Sequence, residues 1–176
     1  LIALAAERQA LALGPGIGTA AKTREVVSGL IQSIDVPMVI DADGLNCLAG
    51  DPSILKKPGT PVILTPHPGE MARLAGLSTK DIQADRLEIS RQFAKDHHVL
   101  LVLKGAQTIV ASPDGSTWIC PTGNPGMASG GMGDVLTGMI AGFCAQGFSP
   151  ENACRAGVFI HGLTADDLAS EIGRFG

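Results

Sequence analysis

Tyrosine is absent from this 176-residue chain, tryptophan occurs once, and aromatics make up 3% of it. Platforms on which single-stranded bases could stack are therefore scarce. A basic excess is missing too: 13 Lys and Arg stand against 17 Asp and Glu, a formal net charge of −4. A general nucleic-acid binder presents a basic face, so none is expected as partner. No apolar run approaches the ~20 residues needed to span a bilayer, so no membrane partner is expected either. The first residues, Leu1-Ile2-Ala3-Leu4-Ala5-Ala6, follow no basic stretch and do not read as a secretory signal. They also lack an initiating Met and read as the interior of a helix, so the chain is expected to be the later part of a longer polypeptide. Cys47, Cys120, Cys144 and Cys154 lack the close pairing of a zinc site and read as reduced thiols of a cytoplasmic protein.

What is present is an ordinary globular composition, 45% hydrophobic and 17% charged, of a size that suits one domain spanning 1–176. Apolar runs alternate with helical patterns. A short helix to about Arg8 leads into Ala10-Leu11-Ala12-Leu13, too short to classify by periodicity. Gly14-Pro15-Gly16-Ile17-Gly18 stops it, and Thr19 fits an N-cap for a helix through about Ser33, with Val26, Val27, Leu30 and Ile31 on one face. Met38–Ile40, Pro61–Leu64 and Val99–Leu103 read as strands. Helices are expected over Leu45–Leu48, from Thr65-Pro66-His67-Pro68-Gly69-Glu70 to about Ala75, and over Asp81–Asp96. Thr108–Ala111 and Thr117–Cys120, joined by Pro113-Asp114-Gly115, read as a hairpin. Ser149-Pro150 starts a final helix. This order predicts an α/β fold with a mostly parallel sheet covered on both faces and an antiparallel hairpin near one edge. Ligands of such sheets bind beyond the carboxyl ends of the strands, where five polar or glycine-rich loops converge.

The densest of these is Asn124-Pro125-Gly126-Met127-Ala128-Ser129-Gly130-Gly131-Met132-Gly133-Asp134, which turns abruptly into a helix carrying Val135, Leu136, Met139 and Ile140. Two readings compete. The glycines make a tight surface loop, or they let backbone N–H groups close around an anion at a helix start. Asp134 in the first turn either offsets the helix dipole or acts as a general base towards a phosphoryl acceptor.

Five segments together, Gly14–Gly18, Asp41-Ala42-Asp43-Gly44-Leu45-Asn46, Thr65–Met71, Lys104-Gly105-Ala106-Gln107-Thr108 and Asn124–Asp134, resemble the ADP- or ATP-dependent NAD(P)H-hydrate dehydratases of the ribokinase-like superfamily. The resemblance covers nearly the whole chain. It implies a ribokinase-like three-layer sandwich that lacks the N-terminal part of the full fold. It implies a repair reaction in which hydrated NADH or NADPH, NAD(P)HX, returns to the usable cofactor by phosphorylation of a ring hydroxyl and loss of phosphate. ADP (or ATP) and Mg²⁺ are the implied co-reactants. By the same resemblance, Asp134 matches the superfamily's base and a substrate contact, and Gly130, Gly131 and Gly133 supply N–H groups to the transferring phosphoryl. Lys104, Gly105, Ala106, Gln107 and Thr108, with Gly133, match the nucleotide-binding segment. Gly16, Gly18, Asp43, Asn46 and His67 are the expected dinucleotide contacts, with Asp41 alongside them. Glu70 is the candidate for Mg²⁺ through a water. His67 departs from the Asn-x-x-Glu pattern of many relatives, leaving Glu70 alone there. Plainer roles also exist: Lys104 snorkelling at a strand end, His67 as a turn residue, Asp43 as a helix cap. His97, His98 and His161 read as structural.

Members of this superfamily normally have further strands ahead of the Gly14 loop, and an N-terminal epimerase domain is one expectation for the full-length chain. Self-association is another. The alternative enzyme reading is a small-molecule kinase of the thiazole or pyridoxal type. A Rossmann dinucleotide binder is disfavoured, because Gly14–Gly18 follows G-x-G-x-G and not G-x-G-x-x-G.

Overall fold

The structure, a computed structural model, describes residues 1–56, 59 and 62–173; Pro61, expected to open a strand, lies outside them. Four apolar runs form parallel strands: β1 (Leu11–Leu13), β2 (Met38–Ile40), β3 (Val62–Leu64) and β4 (Leu100–Leu103). They lie side by side in chain order, with Leu13, Ile40, Leu64 and Leu101 in one row across the sheet. β5 (Ile109–Ala111) and β6 (Thr117–Ile119) add the antiparallel hairpin. Because β5 reverses direction and β6 reverses it again, β6 ends at the same edge as β1 to β4. The loop that follows it therefore joins the other four loops there.

Alternation of side chains along each strand splits the core in two. Met38, Ile40, Val62, Leu64, Leu101, Leu103, Ile109 and Ala111 face one layer of helices. That layer holds α2 (Ala21–Ser33), α3 (Ala42–Leu48), α4 (Pro68–Ala75), α5 (Thr79–Ala84) and α6 (Arg86–His97), with the short α1 (Ile2–Ala6) at its margin. Right-handed crossovers between strands laid in chain order place their helices on a single face. Val39, Ile63, Leu100, Val102 and Val110 face the other way, onto Leu136, Ile140 and Cys144 of α7 (Met132–Ala145) and Ala153, Cys154 and Val158 of α8 (Pro150–Ile172). Helices thus cover both faces of a mixed six-stranded sheet.

Three local expectations change. Ala10–Leu13 supplies β1, whose run was too short to assign alone. α2 starts from Ala20 with no side-chain cap, so Thr19 does not cap it, and Val26 turns outward at 43% exposure while Val27, Leu30 and Ile31 are buried. The helix expected over Asp81–Asp96 breaks at Asp85, where φ is −146° and ψ 63°. No helix among the described residues is long and apolar enough to cross a membrane.

Candidate active site

α7 begins at Gly131, whose φ of +87° lies in the left-handed region that glycine enters freely. No side chain caps this end, and a Cβ at Gly130 or Gly131 would meet nothing within 4 Å. Of the first-turn N–H groups, that of Met132 donates to Ser129 O at 3.4 Å, while those of Gly133 and Asp134 have no partner among the described residues. They stand at the positive end of a 14-residue helix, an arrangement that receives anions.

Beneath this helix start lies a charged cluster drawn from the ends of β2 and β4 and the first turn of α4. Asp41, 1% exposed, follows β2 and accepts from Lys104 Nζ at 2.8 Å and from Thr137 Oγ1 of α7 at 3.0 Å. Lys104 Nζ also stands 3.9 Å from Glu70 Oε2. Gly133 sits directly over the pair: a Cβ there would stand 3.2 Å from Lys104 Nζ and 3.4 Å from Asp41 Oδ2. The Asp41–Lys104 ion pair thus lies under the helix start, with its ammonium and its carboxylate about equally close to Gly133. Lys104 is held inside the site and does not snorkel outward.

Glu70 and His67 cap α4 reciprocally. His67 Nδ1 accepts from Gly69 N at 3.0 Å and Glu70 N at 3.3 Å, and Glu70 Oε2 accepts from His67 N at 2.8 Å. An accepting Nδ1 leaves the neutral ring's proton on Nε2, which stands 3.5 Å from Glu70 Oε1 on a half-exposed side chain. Among the described residues no cluster of three or more His, Cys, Asp or Glu could hold a metal.

Two flanks of α7 differ. On one, Met132, Val135 and Met139 line a largely apolar cavity of about 580 Å³, closed by Asn124–Ser129 and by His161, Ala165 and Leu168 of α8. Asn124 fixes this wall, accepting from Gly126 N at 3.0 Å and donating to Ala165 O and Asp166 Oδ1, each at 2.9 Å. Asp134 does not line that cavity. At ~100° per residue it is turned by about 100–160° from Met132, Val135 and Met139, away from that cavity. The residue is exposed, and its carboxylate makes no hydrogen bond or ion pair among the described residues.

The other expected residues divide. Gly18 N donates to Asp43 Oδ2 at 2.9 Å, tying the Gly14–Gly18 loop to the first turn of α3; Asp43 fills that role, while Asp41 stands at the N-cap. Gly16 is exposed in the same loop, and a Cβ there would meet nothing within 4 Å. Asn46 faces elsewhere: its Oδ1 accepts from Arg73 Nε at 2.9 Å and its carbonyl from Arg24 at 3.1 Å. Gly105, Ala106 and Gln107 are exposed at the sheet edge, and Thr108 Oγ1 closes their loop onto Gly105 O at 3.2 Å. Sequence reasoning missed Thr137, although it stands four residues after Gly133 and hence on the same helix face. It also left Asp41 as a pocket-lining residue, when it is the counter-ion of Lys104.

A family model described as NAD(P)H-hydrate dehydratase matches residues 2–176. A bifunctional NAD(P)H-hydrate repair enzyme of Moorella thermoacetica is 48% identical over 169 residues, 96% of this chain and 32% of that protein. The ADP-dependent (S)-NAD(P)H-hydrate dehydratase of Bacillus subtilis is 39% identical over 158 residues, 90% of this chain and 55% of that one. A crystal structure of the ADP/ATP-dependent NAD(P)H-hydrate dehydratase from Bacillus subtilis, co-crystallized with ATP/Mg²⁺, superposes with a TM-score of 0.84 at 36% identity. That match covers 97% of this chain and 61% of the crystallised one. The chain therefore spans between a third and three fifths of these relatives, and the three-layer sandwich it forms is the ribokinase-like fold.

Proposed function

The chain belongs to the NAD(P)H-hydrate dehydratase family, and from that premise we propose that it carries the nucleotide-binding half of an ADP-dependent enzyme that dehydrates NAD(P)HX to NAD(P)H. One observation carries the reading: an uncapped glycine helix start stands over the Asp41–Lys104 pair, with an unengaged carboxylate in its first turn.

In this reading the N–H groups of Gly130, Gly131 and Gly133 receive the terminal phosphoryl group, with Lys104 adding positive charge from below. Asp134 accepts the proton of the ring hydroxyl, whose oxygen attacks phosphorus while the bond to the departing nucleotide breaks. The ring C–O bond of the phosphate ester so formed then breaks, phosphate leaves with the electron pair, and loss of a proton from the neighbouring ring carbon restores the double bond. The largely apolar cavity beside Met132 and Val135 suits a nucleoside, and Gly105–Thr108 borders the same edge. Gly16 and Gly18 follow β1 and Asp43 follows β2 at the ligand-facing edge, and in this reading they would receive the dinucleotide, with His67 Nε2–H as a further donor. Asn46 supports that flank through Arg24 and Arg73. Mg²⁺, carried on the phosphates, would neutralise their charge. Glu70, engaged with His67 and 6% exposed, fits contact with that ion only through water.

Self-association belongs to the same proposal, supported by the exposed Phe159, Ile160 and Leu163 of α8. So does a preceding epimerase domain, for which the greater length of the bifunctional relatives leaves room. A cytoplasmic setting is supported by four free thiols.

Absorbance tests the reaction directly. Hydrated NADH lacks the 340 nm band, so the full-length protein with ADP and Mg²⁺ should restore it, in proportion to nucleotide consumed. Nucleotide consumption only on addition of a simple alcohol, with no return of the band, would replace the dehydratase by the kinase reading.

A further inference from the structure

Arg86 is the first residue of α6, and no motif marks it, yet its guanidinium reaches into the loop after β4. It donates to the carbonyl oxygens of Leu103 and Lys104, each at 3.3 Å, and to that of Ala106. The group is half-buried, and burial pulls its pKa below the ordinary arginine value. The loop crosses close above it at Gly105, where φ is +131° and a Cβ would stand 3.1 Å from one terminal nitrogen of Arg86. Gln107 follows with a φ of +55°, rare outside glycine.

Those contacts fix the direction of donors on the far side. In a trans peptide unit the C=O and the following N–H point opposite ways. With the carbonyls of Lys104 and Ala106 turned inward to the guanidinium, the N–H groups of Gly105 and Gln107 turn outward, on residues exposed at the ligand-facing edge. We propose that Arg86 is a positioning residue that makes the Gly105–Gln107 loop a pair of outward amide donors for the nucleotide. A planar fork is needed to hold three carbonyls at once, and a lysine ammonium lacks that shape. The inference rests on the nucleotide reading above.

The test compares the full-length wild type with Arg86→Gln and Arg86→Lys, using calorimetric ADP binding, turnover at saturating ADP and amide hydrogen exchange over residues 103–108. Both variants should bind ADP at least about tenfold more weakly while turnover at saturating ADP stays within about threefold, the split expected when ground-state binding is lost. ADP should slow exchange at Gly105 and Gln107 in the wild type and not in the variants. Should Arg86→Gln fail to fold, Arg86→Lys carries the comparison. Wild-type affinity in a folded variant, or an equal loss of turnover with unchanged affinity, overturns the role of Arg86 alone. A wild type that binds no ADP overturns the nucleotide reading from which it starts.

Discussion

Gly133 lies within α7, so its need for glycine comes from its neighbours below: a β-carbon would press on Lys104 Nζ at 3.2 Å. Gly133→Ala should leave the melting temperature unchanged or slightly raised, because alanine gains about 1 kcal/mol in helix propensity and the lysine end can shift. ADP affinity should nevertheless fall about tenfold, since the ammonium moves from under the N–H groups and the methyl intrudes. Calorimetry on a variant of wild-type stability decides it; undiminished affinity would mean that the phosphates sit elsewhere. Asp134→Asn should behave in the opposite sense, losing most turnover while ADP binds within about twofold of wild type, because the base meets the acceptor and not the adenine. Substantial turnover in that variant would remove Asp134 from the chemistry. At this scale the sequence was legible where a motif is local. The Gly131–Asp134 run stood out by its own glycine spacing, whereas His67, Glu70 and Lys104 were singled out only through the family resemblance. Asp41 was not legible as a counter-ion, because its partners lie 63 and 96 positions away in the chain.

Elements were read best where apolar spacing and caps agree, as in α8, whose Ser149 cap accepts from Asn152 N at 3.3 Å with Pro150 in the first turn. The break between α5 and α6 was hidden because Ile82, Ile89 and Phe93 keep a helical spacing across it. The overlooked signal was Asp85 three residues before Glu88: its carboxylate accepts from Glu88 N at 3.2 Å and starts a new helix with Arg86 as first residue. That placement makes a prediction about the element and not only the cap. Asp85→Ala should cost about 1 kcal/mol, roughly 2–4 °C in melting temperature, and should weaken ADP binding by loosening the seat of Arg86. Ser78→Ala removes the equivalent bond at the start of α5, to Asp81 N at 3.1 Å, and should cost similar stability with ADP affinity intact. Equal effects of the two variants on ADP would show that α6 has no privileged link to the loop.

The whole molecule joins two cores through one sheet, and this much followed from strands that alternate with helices and bury both faces. Each core holds a histidine with a ring nitrogen that has no partner among the described residues: His97 beside Phe93 in the α6 layer, His161 in α8. Burial lowers the pKa of both, helped at His97 by the charge of Lys56 and opposed there by Asp96. The unfolded chain, with histidines near about 6.5, therefore takes up protons in a range where the folded molecule declines them. Stability from both groups is complete above that value and is lost as pH falls through their lower folded values. Urea midpoints should thus drop between about pH 7.5 and pH 5.5, before most carboxylates titrate. His161→Gln should flatten the drop, because glutamine carries no titrating group. A midpoint that holds or rises on acidification would mean that both rings are protonated within the fold, and that the two cores admit charge which their packing otherwise excludes.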